Sequence, residues 1–263
     1  MALYGTIVGR WYVTLLGAVF VWRAVRHLGW RRTAVYTLVA LVAGALAENG
    51  SVHFGFPYTR YAFNPALRGK EIFLGDVPII VPLSYTFMGY FAFATGRVVA
   101  SGPWRTRGRR VSQELVLGVI LAVWALWIFD PVARLGHRWF LGELFHYAGP
   151  GFWFGLPLGS QIGFGATALV LVGCLTWLAR DDPAEAVERW QDHPHLVSLL
   201  TFHGQIVWLA TVACVLGATE LGGSAALMWV PAAAITWIRW SELRPPRPLS
   251  EPLVEPVAAG ASR

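Results

Sequence analysis

The sequence predicts an all-α, polytopic transmembrane bundle of about seven helices, and three observations carry that prediction. Of its 263 residues, 56% are hydrophobic and only 14% charged, a balance that a water-soluble domain does not show. Apolar runs of about 20 residues, long enough to cross a bilayer, recur near 4–22, 33–54, 76–98, 114–133, 157–179, 196–218 and 222–240. Positive charge gathers at the ends of those runs and not along one face. The net charge of +6 therefore reads as membrane topology and argues against a nucleic-acid partner.

The first run follows an uncharged N-terminus, is interrupted by Arg10 and lacks a small-residue cleavage site, so it is predicted to stay as a helix. The second carries Glu48, and the third is led in by the Gly/Pro-broken stretch GDVPIIVP at 75–82. The fourth ends at Asp130-Pro131, and the fifth is led in by a second such stretch, FGLPLG at 154–159. Cys174 and Cys214 each lie inside an apolar run with no Cys or His at ligand spacing, which makes them packing residues. The two domains expected are a transmembrane helical domain, 1–242, and a Pro-rich tail, 243–263, predicted to be disordered, cytoplasmic and dispensable.

Alternate connections differ sharply in charge. One set, which includes 101–112, 181–194 and the tail, carries fifteen arginines; the other, 56–72 and 134–150, carries Arg60, Arg68, Lys70, Arg134 and Arg138. The positive-inside rule predicts that the first set is cytoplasmic, with the N-terminus outside and the C-terminus inside the cytoplasmic (inner) membrane.

The middle of the chain repeats itself faintly. Fifteen uncharged residues separate Arg32 from Glu48, and fifteen separate Glu114 from Asp130. At about 1.5 Å per helical residue, each acid lies roughly 22 Å from its helix start, so both are expected at one depth in the outer part of the membrane. Each is followed by an aromatic connection and then by a Gly/Pro-broken segment, and such segments are tolerated where they are buried in protein or line a cavity. Two half-units of this kind are expected to enclose one pocket.

A carboxylate in apolar surroundings either pairs with a cation or takes a proton, and an acid of the second kind can protonate an unreactive group. Glu48 and Asp130 are the candidate catalytic residues. Their structural alternatives are, for Glu48, a pair with Arg60 or an interfacial anchor, and for Asp130 an interfacial acid at a helix end, since Pro131 follows it. His53 can hydrogen-bond a neighbouring helix, and Arg60 can anchor among headgroups; Tyr58, Tyr61 and Tyr85 read first as interfacial aromatics. Clustered histidines are missing, with only His193 and His195 close together, so no metal is expected. No GxGxxG or nucleophile elbow is present, and no cofactor is expected. Acid–base chemistry on a lipid without a polar handle remains.

The motifs ENGSVHFGFPYTRYAFNP with LGDVPIIVPLSY, and FDPVARLGHRW with FGLPLGSQIGF, resemble the carotenoid biosynthesis membrane proteins that include the γ-carotene 1′-hydratases and the bisanhydrobacterioruberin hydratases. The resemblance covers roughly 33–180 and rests on Glu48, Gly50, Gly55, Pro57, Tyr61, Gly75, Val77, Pro78, Asp130, Pro131, Gly136, Trp139, Gly155 and Pro157, in order and spacing. Departures fall at Ser160 and Phe164, where an Asn and a Trp are expected, and at Tyr85 in place of a Trp.

The resemblance implies cofactor-independent hydration of a terminal isopropylidene double bond, a hydro-lyase reaction on a lipophilic polyene or terpenoid. One of Glu48 and Asp130 protonates the alkene and the other orients water. His53, Arg60, Tyr61, Tyr85, Trp139 and Trp153 are the expected substrate-binding residues, with aromatic faces stabilising a cation. The same protonation without water gives a membrane cyclase, and a pocket without chemistry gives a lipid carrier. Membrane lipid surrounds the protein in every case, and association with other pathway enzymes is compatible with each.

Overall fold

The structure, a computed structural model, describes residues 1–100, 107–182 and 195–242. Among the described residues eight helices run in chain order: α1 (Ala2–Ile7), α2 (Trp11–Leu28), α3 (Trp30–Phe54), α4 (Ile80–Ala100), α5 (Arg107–Arg134), α6 (Leu158–Leu178), α7 (Leu196–Val215) and α8 (Thr219–Glu242). The described chain is an all-α bundle with seven long helices, as the sequence predicts. The tail at 243–263, His193, and most of the two connections expected on the cytoplasmic side lie outside the described residues.

Five of the helices are long and apolar enough to cross a membrane: α3, Val111–Arg134 of α5, α6, α7 and α8. Their outward faces carry exposed Leu46, Ile162, Leu200 and Leu227, side chains that lipid and not water accommodates. The protein is an integral membrane protein. Helix α4 stands apart from that set because it packs against α2, α3, α5, α6, α7 and α8 and is buried along most of its length. Lipid demands an apolar surface, whereas protein neighbours accept the Ser, Thr, Tyr and Gly that α4 carries. Where α4 meets α5, a Cβ on Gly96 would lie 2.7 Å from the Gly118 backbone nitrogen, so the two helices can approach this closely only with glycine there.

The predicted first run is divided. Helix α1 stops at Ile7 and α2 begins at Trp11, because Arg10 turns aside between them. Its guanidinium pairs with Glu71 at 2.8 Å and donates to the Leu141 carbonyl at 2.6 Å. Helix α5, by contrast, continues through Pro131 to Arg134.

The connections after α3 and α5 fold onto each other. Strand β1 (Tyr61–Phe63) pairs antiparallel with the strand Phe145–Tyr147, here β4, in the register Tyr61↔Tyr147, Ala62↔His146, Phe63↔Phe145. Between them in sequence, β2 (Phe73–Leu74) and β3 (Val77–Pro78) form a small hairpin. The two Gly/Pro-broken segments are the turns that lead into α4 and α6. The β1–β4 ladder thus caps one end of the bundle where α3 and α5 finish.

Candidate active site

The stretch Glu48-Asn49-Gly50-Ser51 at the end of α3 shows how the sequence builds the site. Asn49 accepts from the Asp76 backbone nitrogen at 3.2 Å and donates to the Leu74 carbonyl at 3.3 Å, which fastens the β2–β3 turn to the helix. A Cβ on Gly50 would stand 2.6 Å from the Phe56 carbonyl oxygen, so glycine lets the chain fold back. Ser51 accepts from the Tyr58 backbone nitrogen at 3.0 Å and donates to the Ala47 carbonyl at 2.7 Å. With its three neighbours committed to folding the connection, Glu48 is left facing inward.

It faces a cavity lined by Tyr12, Val13, Glu48, Tyr58, Tyr61, Phe63, Ile80, Val81, Ser84, Tyr85, Met88, Leu126, Phe129, Asp130, Leu144, Phe145, Tyr147 and Phe164. Both candidate acids line this one cavity. Among the described residues Glu48 makes no pair with Arg60. Glu48 is buried and bonded to two phenols, Tyr61 on Oε2 and Tyr85 on Oε1, the latter at 2.5 Å; Arg60 is exposed. Asp130 lies one turn before α5 ends at Arg134, and it is buried too.

Beyond Tyr85, hydroxyls continue in a line. Tyr85 Oη lies 2.9 Å from Tyr58 Oη, which lies 2.9 Å from Thr167 Oγ1, and Thr167 donates to the Gly163 carbonyl of its own helix at 3.1 Å. Burial pushes the Tyr58 and Tyr147 phenols well above their ordinary range, with the nearby carboxylates adding to the effect. Both remain neutral hydrogen-bonding groups. Polar atoms are otherwise sparse, and a cavity of this kind suits an apolar ligand held by a few placed polar groups.

Of the predicted substrate-binding residues, Tyr61 and Tyr85 line the cavity and the other four do not. His53 is on the outside of the cap, 3.1 Å from Asp76, which also pairs with Arg68. Arg60 is exposed. Trp139 packs on Phe140 and Trp208, and Trp153 donates from Nε1 to the Trp127 carbonyl at 3.0 Å. Tyr58, Tyr61 and Tyr85 are buried in the site instead of spread at the membrane interface.

Sequence reasoning left Tyr147, Phe145 and Thr167 out. Tyr147 and Phe145 had a signal: Tyr-Ala-Phe in the first connection and Phe-His-Tyr in the second both alternate aromatics with period two, as a short two-stranded cap requires. Thr167 had none, since a threonine inside an apolar run usually bonds its own helix. Among the described residues no three His, Cys, Asp or Glu side chains converge, and the groups facing the cavity that can exchange protons are carboxylates and hydroxyls.

Comparisons with curated proteins and with solved structures give no match. The family model of the carotenoid biosynthesis proteins matches residues 9–231, a span that takes in the two acids, the cap and every long helix but the end of α8. An integral membrane bundle with an aromatic cavity and two buried acids thus belongs to the carotenoid biosynthesis protein family and has its role in carotenoid biosynthesis.

Proposed function

We propose that the chain adds water across a terminal isopropylidene double bond of a carotenoid or related polyene, without a cofactor. The observation that carries this reading is the convergence of Glu48 and Asp130 on one cavity whose other walls are mainly aromatic and aliphatic. A hydrocarbon end group offers nothing to grip except its shape and its π electrons. An acid must therefore attack it directly, in a site that excludes bulk water.

One carboxylic acid gives its proton to the less substituted alkene carbon: its O–H bond breaks, the π pair forms the new C–H bond, and a tertiary cation is left. The faces of Tyr61, Tyr85 and Phe145 can stabilise that cation electrostatically. The other carboxylate holds a water and takes its proton as the oxygen bonds to carbon. The proton lent at the start is made good by the one gained at the end, and the net change is one water added. Glu48 and Asp130 are the proposed pair; His53, Arg60, Trp139 and Trp153 are left out of the binding site.

Cyclisation would share the first step and dispense with the water. In cyclisation the second carboxylate would take a proton from the ring cation instead of from water, so the oxygen content of the product separates the two reactions. Membranes containing the protein, supplied with an acyclic carotene in heavy-oxygen water and no nucleotide or metal, should form a tertiary alcohol carrying the label. Label arriving from molecular oxygen, or a product with no oxygen at all, would overturn the assignment.

A further inference from the structure

Resting on the hydratase reading above, we infer that the hydroxyl line Tyr85–Tyr58–Thr167 makes Glu48 the proton donor, with Tyr58 and Thr167 as positioning residues that act through Tyr85. The line has four links: Glu48 to Tyr85, Tyr85 to Tyr58, Tyr58 to Thr167, and Thr167 to the Gly163 carbonyl. Each link needs one hydrogen, and the three hydroxyls supply three. A carbonyl supplies none. All four links are made together only when Glu48 Oε1 carries the fourth hydrogen and donates it to Tyr85.

The other oxygen agrees with that state. Tyr61 bonds Oε2, which in a neutral acid is the carbonyl oxygen and accepts. Glu48 is then a fully satisfied carboxylic acid, with one oxygen donating and one accepting. Asp130 has no comparable line: among the described residues no hydroxyl reaches its carboxylate, and the cation nearest to it in sequence is Arg134, one helical turn on. It is left to water, as the proton acceptor should be.

Loss of the proton reverses the line. When the Glu48 O–H bond breaks and the hydrogen bonds to the alkene carbon, Tyr85 turns its hydroxyl onto the vacated oxygen, Tyr58 turns to Tyr85, and Thr167 turns to Tyr58. The link given up is Thr167 to Gly163, the longest of the four at 3.1 Å and the least expensive, because that carbonyl lies within helix α6. Three hydroxyl rotations then hold the new carboxylate while the cation exists, with no heavy atom moving. Hydrogen bonds to an ionised group are stronger than neutral ones, and a chain strengthens its terminal bond. The line favours the neutral acid at rest and the carboxylate at the moment of transfer.

Infrared difference spectra of the purified protein test this, with Glu48→Gln subtracted to isolate the Glu48 carboxyl band. The wild type should show the band of a neutral acid. Tyr58→Phe removes the middle of the line and should move the carboxyl C=O band to higher wavenumber. Thr167→Val should move it less, and Thr167→Ser should restore it. Turnover should fall about tenfold in Tyr58→Phe with KM little changed, the size expected of one hydrogen bond that strengthens in the transition state. An absent band in the wild type, or a band unmoved by both Tyr58→Phe and Thr167→Val, would overturn the inference. The Thr167 pair keeps the test standing if Tyr58→Phe does not fold. Band shifts without alcohol from any sample would overturn hydration but leave the line intact; alcohol with unmoved bands would do the reverse.

Discussion

Tyr61 of β1 stands directly across from Tyr147 of β4, with ring centroids 5.5 Å apart. One belongs to the connection that follows Glu48 and the other to the connection that follows Asp130. Their pairing brings the two half-units of the chain together over a shared cavity. Phe63 and Phe145 extend the same aromatic layer, their centroids 6.3 Å apart. The two acids therefore reach one site through the caps attached to them as well as through their helices.

Glu48 and Asp130 should behave as a unit. Replacing either by its amide keeps shape and hydrogen bonding but removes the exchangeable proton. Glu48→Gln and Asp130→Asn should each lower alcohol formation on the order of 100-fold or more. The double variant should be hardly slower than the slower single one, as expected when a proton donor is useless without a positioned water. Arg60→Gln, outside the cavity, should leave the chemical step near normal. Membranes with matched amounts of folded protein decide it, and near-normal turnover by either amide variant would return that carboxylate to a structural role.

Arg10 and Glu71 should contribute mainly to folding. The pair is buried on both sides, with side-chain exposures of 7% and 6%, and it joins the α1–α2 break to the first connection. Removing one partner strands the other in a dry site, at a cost of about 3–5 kcal/mol. Arg10→Met and Glu71→Leu should each lower the thermal midpoint in detergent. The double substitution should recover much of the loss, because no charge is then stranded. A double variant as unstable as the sum of the singles would mean that the bond from Arg10 to the Leu141 carbonyl, not the ion pair, carries the stability.

The bundle was legible because lipid imposes length and composition on any helix that crosses it, as α3, α6 and α7 illustrate. Equal spacing after Arg32 and Glu114 led to the expectation of one depth for Glu48 and Asp130, and the structure brings both acids to one cavity. Finer placement was not legible. His53 and Arg60 lie within twelve residues of Glu48 in sequence, yet His53, in the last turn of α3, turns to Asp76, Arg60 lies past the end of that helix at Phe54, and both are exposed. Trp139 and Trp153 have the aromatic character a cation site needs, but Trp208 and Trp127 take them up. Which aromatic reaches the cavity is decided by the β1–β4 register, a long-range pairing of three residues a side that no local pattern fixes. The break at Arg10 is of the same kind, since its cause, Glu71, is 61 residues away.

The cap also sharpens the topology. Because β1 pairs with β4, the connections at 56–72 and 134–150 share one side of the membrane whichever way the protein is inserted. The fifteen-to-five distribution of positive charge predicts that this side is the outer one. Position 66, exposed on the first connection, should react with an impermeant thiol reagent added to intact cells once Ala66→Cys is introduced and Cys174 and Cys214 are replaced. Thr106→Cys, in the connection of opposite charge and outside the described residues, should react only after the membrane is opened. Labelling of position 106 with protection of position 66 would invert the orientation while leaving the fold untouched. It would place the cap and the cavity beneath it in the cytoplasmic half of the bilayer, so the experiment also fixes the side of the membrane on which Glu48 acts.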